Sequence, residues 1–197
     1  MILLKAIAFA DRRDYKAILK NKDPPKSDHK INMEEKYHLE KQLWTEVDFD
    51  FMGWHDSHVY AVSFSSLEKE YEFMLDIDYI FKWVSPLEGE TYFKFWIAPC
   101  TLIFENVYDL VIDLEISVPS EITIGDIIRK NPKTPKGVDY IEKDVEYDWL
   151  IETFNGDISF KSTGYKQYVR QHPKLTENQE IDFENRAGVS FSKEFFE

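Results

Sequence analysis

The side chains that could do chemistry are concentrated in one short polar stretch, Trp54-His55-Asp56-Ser57-His58. It follows Gly53 at a predicted bend between two strands, and loops carry function more often than strands do. Asp76 and Asp78 are two residues apart and therefore share one face of a predicted strand. If the bend folds over that strand, two imidazoles and two or three carboxylates converge, which would suit a zinc-like or non-haem iron site.

A purely structural interpretation of these residues is favoured. Asp76 and Asp78 alternate with apolar residues, so we expect both on the solvated face of the strand. His55 and Asp56 are typical of residues that cap a turn. The chain has no H-E-x-x-H motif, no G-x-S-x-G motif and no glycine-rich phosphate loop. We therefore predict no catalytic residue, no metal and no cofactor. The alternative is a metal-dependent hydrolase that uses His55, Asp56, His58, Asp76 and Asp78.

Cysteine usage excludes two further classes of site. Cys100 is the only cysteine, so an intrachain disulfide framework and a cysteine-cluster metal site are both impossible. It lies in an apolar run with no histidine close by in sequence. We predict that Cys100 is an inert buried thiol.

The net charge of −13 restricts the class of partner. Residues 1–30 hold eight Lys/Arg against four Asp, a balance of +4, so the remaining 167 residues carry −17. Such a surface repels the phosphates of nucleic acid and attracts a basic protein. No segment has the length of uninterrupted apolar sequence that a transmembrane helix or a signal peptide needs. We expect a cytoplasmic protein with no membrane partner, and the oligomeric state stays open.

The hydrophobic pattern predicts a single domain, 1–197, with a short helical N-terminal segment (about 1–45) that leads into a β core (about 46–170). Helices are predicted at 11–20 and 33–44. From residue 46 the period of apolar residues changes to two, which indicates strands with one solvated face. The regular strands are predicted at 46–51, 71–79, 110–117 and 145–152, and less regular ones at 58–65, 91–97, 101–107 and 157–163.

Asn155-Gly156 separates two of these strands and predicts a hairpin with a type I′ turn. The short connections leave little room for the crossover helices of a parallel sheet. We therefore predict a mostly β fold, or α+β with few helices. Its architecture is an antiparallel sandwich or rolled sheet with short helices at the N-terminus.

Aromatic and acidic residues form a further constellation. Its members are Trp83, Tyr92, Trp96, Glu105, Tyr108, Asp109, Asp113 and Glu115. Aromatic anchors ringed by carboxylates would suit a surface that binds a cationic protein, whereas the alternative is an aromatic core with solvated charges at its edges. The binding residues predicted from the sequence are Trp54, His55, Asp56, His58, Asp76, Asp78, Trp83 and Glu105.

Three strings of the sequence carry a resemblance to known proteins. These are W-H-D at 54–56, D-I-D-Y-I at 76–80 and T-L-x-F-x-N-V at 101–107. Over residues 50–116 the chain resembles a group of uncharacterised bacterial β-rich proteins that are similar to small immunity-like domains of polymorphic toxin systems. The resemblance implies a β-rich fold and a binding role, and it brings no catalytic motif. The leading hypothesis is a non-enzymatic acidic binding protein of the kind that inhibits a basic toxin or nuclease.

Overall fold

Ten antiparallel strands form the framework of the protein. The computed structural model describes residues 36–66, 71–117, 121–136 and 141–197, all within one compact unit, Lys36–Glu197. The strands are β1 (Leu43–Thr45), β2 (His58–Ser65), β3 (Glu72–Val84), β4 (Lys94–Glu105), β5 (Tyr108–Leu114), β6 (Ile122–Lys133), β7 (Glu146–Thr153), β8 (Gly156–Ser162), β9 (Gly164–Val169) and β10 (Lys174–Thr176). Their order in the sheet is β1-β9-β4-β3-β2-β6-β7-β8-β5, and β10 pairs with β4.

The sheet folds over on itself and encloses one main core. Its two halves are joined where His58 and Val59 of β2 pair with β6. Phe104 of β4 packs on Trp149 of β7, with ring centroids 5.1 Å apart, although three strands separate β4 from β7 in the sheet order. Phe73 of β3 packs in the same way on Phe160 of β8. The predicted mostly β architecture, an antiparallel sandwich or rolled sheet, is therefore confirmed.

The two-residue alternation correctly predicts which side chains of the long strands face this core. In β3, Leu75, Ile77 and Tyr79 are buried in the core. In β7, Trp149 and Ile151 are buried while Glu152 is exposed. The pleat of a strand forces this alternation, so the pattern could be recognised without knowledge of the partner strands.

The hairpin predicted at Asn155-Gly156 joins β7 to β8, but its turn differs from the prediction. Thr153 pairs with Gly156, so Phe154 and Asn155 are the central residues. Neither has a positive φ, as a type I′ turn requires, whereas Gly156 has φ 131°. A Cβ at Gly156 would lie 2.2 Å from the carbonyl oxygen of Asp113 in β5, so the glycine permits close approach of the neighbouring strand.

The segment before β2 departs from the predicted pattern. Residues 46–51, predicted as a strand, form a 3₁₀ helix, Glu46–Phe51. The Asp48 carboxylate accepts a hydrogen bond from the Thr45 N–H at 2.9 Å, which favours a helical turn. Phe49 packs on Trp54, whereas Val47 and Phe51 are exposed, so the apolar residues do not share one face.

The predicted helices near the N-terminus are not supported where they can be compared. The helix predicted at 33–44 is wrong over its described part, because residues 36–42 contain no helix and β1 follows. The helix predicted at 11–20 lies outside the described residues. The one described α-helix is α1 (Phe183–Arg186), near the C-terminus. None of the helices in the described ranges has the length and apolar character needed to cross a membrane.

Strands β4, β6 and β9 differ from prediction because the sequence period is interrupted, and the short strands β1 and β10 were not predicted either. Strand β4 runs unbroken through Pro99, where strands at 91–97 and 101–107 were predicted. Pro99 lies where the neighbour of β4 changes from β10 to β9, so its missing N–H removes no bond from either pairing. Strand β6 was not predicted, since bulges near Gly125 and Asn131 break its alternation. Strand β9 was missed because its inward residues include the polar Gln167.

Candidate functional site

Asp76 and Asp78 are buried, which corrects the prediction that they lie on a solvated face. Both are 0% exposed. They do lie on the face of β3 opposite Leu75 and Ile77, as the alternation requires. That face is covered by the C-terminal part of the chain, where Ile181 packs on Ile80 in a second, smaller hydrophobic cluster. The outer face of β3 is therefore buried around Asp76 and Asp78.

Arg186 of α1 binds both carboxylates. Its Nε donates to Asp78 at 2.9 Å, and its two terminal nitrogens donate to the two oxygens of Asp76. The guanidinium also lies 3.7 Å from the ring centroid of Tyr60, in a cation–π contact. Arg186 is 1% exposed, so this is a fully desolvated charge network.

The remaining positions on the two carboxylates are also filled. Asp76 also accepts hydrogen bonds from the guanidinium of Arg170 and from the Ser190 N–H, the latter at 2.9 Å. Asp78 accepts the Ile181 N–H at 2.8 Å and the Tyr60 hydroxyl at 3.1 Å. All four carboxylate oxygens therefore have donors, as buried charges require.

The pKa values of the two arginines reflect the same environment. Burial lowers the pKa of Arg170. Burial also acts to lower the pKa of Arg186, but hydrogen bonds from its guanidinium to Asp76 and the nearby negative charge outweigh that effect and raise it. Both groups stay charged at ordinary pH. The network joins the C-terminal segment to β3, and neither carboxylate is free to act as a base or to bind a metal.

Sequence reasoning missed both arginines. Arg186 is 110 residues from Asp76, and Arg170 is 94 residues from it. Neither belongs to a motif, so only the path of the C-terminal segment brings them to the aspartates.

Trp54 lies in the core and is only 2% exposed. Its indole N–H donates to the side-chain oxygen of Gln167 at 2.8 Å, and its ring packs edge-on against Tyr165. The ring therefore closes the base of the polar bend, and it is not available as an anchor on the surface.

His55 and Asp56 connect the bend to neighbouring segments, whereas the predicted capping of the turn is not among the contacts described for either side chain. The His55 Nδ1 lies 2.9 Å from the carbonyl oxygen of Gly125, and its Nε2 lies 3.5 Å from Asp56. Asp56 has φ 62°, which is tolerated best by glycine, asparagine and aspartate. Its carboxylate accepts the Gln179 amide at 2.8 Å.

His58 is separated from His55 and lies at the start of β2. Its Cα is paired with that of Asp78, but its ring packs on Tyr60 at a tilt of 57° and does not reach the aspartate carboxylates in any described contact. Its Nδ1 lies 3.8 Å from Glu121. Donor atoms of His58, Glu121 and Glu180 lie within 4.8 Å of one another, and both glutamates are exposed. The five residues of the hydrolase hypothesis are therefore not assembled around one point.

Trp83 and Glu105 lie far apart. Trp83 is near the end of β3 and packs on Phe95 at 4.9 Å. Glu105 is the last residue of β4 and forms an ion pair with Lys166 at 2.5 Å. Ten residues of extended chain separate Phe95 from Glu105, about 33 Å at the rise of a strand. The predicted aromatic and acidic constellation is thus split between the two ends of β4.

A different acidic group is created by the register of strands β6, β7, β8 and β5. Asp126 pairs with Glu152, Glu152 with Asp157, and Asp157 with Asp113. We call these four residues the acid row. Their neighbours Ile127, Ile151 and Ile158 are buried, so the acid row lies on the outer face. Directly paired residues have Cβ atoms about 5 Å apart, so the acid row spans about 15 Å.

An aliphatic row runs beside the acid row on the same face. Ile128 pairs with Leu150, Leu150 with Ser159, and Ser159 with Val111. We call Ile128, Leu150 and Val111 the aliphatic row. Val111 is 57% exposed. The outer face of this half of the sheet therefore presents a line of negative charge next to a line of aliphatic side chains that Ser159 interrupts.

Two described lysines near this face are bound to other acids. Lys161 pairs with Asp109 at 2.5 Å, and Lys133 pairs with Asp148 at 3.1 Å. Among the described residues, no lysine or arginine forms an ion pair with a member of the acid row. Like charges on directly opposed strands are destabilising, so the acid row costs stability that no ion pair of the described residues offsets.

Two cavities of the described surface lie elsewhere. One, of about 110 Å³, is lined mainly by aromatic and aliphatic side chains that include Tyr37, Trp44 and Phe81. The other is wider and lies against Leu43 and Phe196. Neither is lined by a histidine or by a member of the acid row.

Comparison with protein-family models, with curated proteins and with solved structures finds no match for this chain.

Proposed function

We propose that this protein is a non-enzymatic, acidic, cytoplasmic binding protein that acts as an immunity-type inhibitor of a basic toxin or nuclease. The single observation that carries the proposal is the acid row, Asp126, Glu152, Asp157 and Asp113, which lies on an outer sheet face and forms no ion pair with a lysine or arginine of the described residues. A cationic partner would supply the missing charges and remove the repulsion within the row.

The rest of the molecule supports this role. A net charge of −13 attracts a basic protein at long range and speeds the encounter. The aliphatic row offers apolar area beside the charges, and Val111 is its most exposed described member. Binding interfaces combine such an apolar centre with charged surroundings.

A binding role is favoured over the metal-dependent hydrolase because of how the carboxylates are used. Asp76 and Asp78 both accept hydrogen bonds from Arg186, so a metal ion would have to displace a buried guanidinium. His55 contacts the Gly125 carbonyl and Asp56 accepts from Gln179, so these residues support the bend.

The proposal is tested by capture and reconstitution. The immobilised protein is exposed to native lysate, proteins that elute with salt are identified, and the strongest basic candidate is purified and titrated back. We expect its affinity to fall at least about tenfold between low and moderate salt, because exposed charges are screened. The variant Asp113→Asn/Asp126→Asn/Glu152→Gln/Asp157→Asn should lose most of this binding.

A matched variant separates the site from the overall charge. Glu40, Glu88, Glu177 and Glu194 are exposed and lie outside the acid row. Their replacement by glutamine removes the same four charges, and we expect binding to be nearly unchanged. Equal loss in both variants would show that only net charge matters. A purified basic partner that binds the acid-row variant as well as the unchanged protein would refute the proposed surface.

A further inference from the structure

Strand β5 is an edge strand that remains open among the described residues. It pairs with β8 on one side and ends the strand order on the other. Its side chains are unusually exposed for an apolar strand, with Val111 at 57% and Ile112 at 42%. An open edge of this kind presents unpaired backbone donors and acceptors to any extended chain that reaches it.

The hydrogen-bond register determines which residues of β5 direct their backbone outward. The Glu115 N–H donates to the Asn155 carbonyl at 2.9 Å, which makes this a hydrogen-bonded position. Such positions alternate along an antiparallel pair, so Asp113 and Val111 direct their backbone groups towards β8. Ile112 and Leu114 therefore direct their N–H and carbonyl groups towards the open edge.

The charges along this edge select the kind of chain that could pair with it. Asp113 begins the acid row, and Glu115 follows directly after β5. Lysines usually protect an edge from pairing, but residues 108–117 contain only acidic charges. An acidic edge repels a second copy of this acidic protein and attracts a basic strand.

We propose that an extended basic segment of the partner adds to the edge of β5 as a further strand. This inference rests on the proposed function and specifies how the partner binds. Backbone hydrogen bonds to Ile112 and Leu114 hold the segment. A cationic side chain of the segment lies opposite Asp113 and neutralises the negative charge at this end of the acid row. An aliphatic side chain opposite Val111 continues the aliphatic row. Strand addition of this type obtains affinity from the main chain and specificity from alternate side chains.

The probe for this inference is a labelled ten-residue peptide, Lys-Thr-Val-Thr-Lys-Thr-Val-Thr-Lys-Thr, in which lysine and valine alternate along one face of the extended chain, as Asp113 and Val111 do on β5. The same peptide with glutamate in place of lysine is the charge control. We expect saturable binding of the lysine peptide that weakens with salt, and no binding of the glutamate peptide. The absence of lysine-peptide binding at millimolar concentration would overturn strand addition.

A pair of substitutions at one residue separates backbone pairing from side-chain contact. Ile112→Pro removes the outward N–H, and edge positions tolerate proline. Ile112→Ala removes the same side chain and keeps the N–H. We expect the proline variant to weaken peptide binding by about tenfold or more and the alanine variant by less than about threefold. Equal effects would overturn the inference.

Hydrogen exchange on the unchanged protein gives a measurement that does not depend on how the proline variant folds. Bound lysine peptide should slow amide exchange at Ile112 and Leu114, and unchanged exchange there would contradict strand addition. The two proposals fail separately. A purified basic partner that depends on the acid row but ignores Ile112→Pro would leave the proposed function standing and remove strand addition. If no basic partner binds at all, the proposed function fails.

Discussion

At the scale of single residues, Arg186 connects the C-terminal segment to two buried aspartates of β3. Its guanidinium binds both buried carboxylates, whereas Arg170 binds Asp76 alone. Bringing these ions out of water is costly, and the cost is offset only while the whole network is intact. The network is therefore a poor source of net stability but a strong constraint on where the C-terminal segment packs.

Arg186→Met should destabilise the protein strongly. The substitution leaves Asp76 and Asp78 buried without their main partner, which costs about 3–5 kcal/mol of unfolding free energy. Urea unfolding followed by tryptophan fluorescence measures the loss. The triple variant Arg186→Met/Asp76→Asn/Asp78→Asn removes the charges together and should recover part of it. A loss below about 1 kcal/mol in the single variant would contradict a network of buried, mutually dependent charges.

At the scale of elements, the β7–β8 hairpin shows how a turn and its neighbouring strand are coupled. Gly156 has φ 131°, and the Asp113 carbonyl would lie 2.2 Å from an added Cβ. The glycine thus serves the turn and also the approach of β5 to β8. This hairpin places Glu152 opposite Asp157, so the acid row depends on the same register.

Gly156→Ala should destabilise the hairpin by about 1–3 kcal/mol, because alanine is strained at this φ and its methyl group meets backbone. Thermal unfolding measures the effect. Gly53→Ala is the control, since an added Cβ there meets nothing within 4 Å. A stability of Gly156→Ala equal to that of Gly53→Ala would mean that β5 moves away from the turn at no cost.

At the scale of the whole molecule, buried tyrosines link stability to alkaline pH. Burial raises the pKa of Tyr60, Tyr79 and Tyr165, and negative charge on Asp78 adds to the effect at Tyr60. In the unfolded chain these phenols ionise near pH 10. Above that pH the folded state holds protons that the unfolded state has lost, so stability falls as pH rises.

Unfolding free energy should therefore be insensitive to these tyrosines below about pH 9 and should decrease steadily above about pH 10. Urea titrations across this range measure the decrease, and phenolate absorbance measures ionisation. We expect part of the tyrosine absorbance change to appear only as the protein unfolds. Complete ionisation of all tyrosines near pH 10 in the folded protein would contradict their burial.

The sequence alone determined the alternation of the strands and the sign of the surface charge. It identified His58–Ser65 as a strand and placed a hairpin at Asn155-Gly156, because the pleat and the demands of a turn act on neighbouring residues. It also correctly predicted that Cys100 is buried. These features require no knowledge of which distant segment packs against them.

The tertiary structure decided whether the outer face of each strand is buried by another segment or exposed to solvent. Asp76 and Glu152 look alike in sequence, since acidic residues alternate with apolar ones in both β3 and β7, yet Asp76 is buried against Arg186 while Glu152 is exposed. The acid row likewise exists only through the register of four strands. Alternation is a local property of the backbone. Which segment covers a sheet face, and which group binds each carboxylate, depends on distant parts of the chain. Arg186, for example, is 110 residues from Asp76.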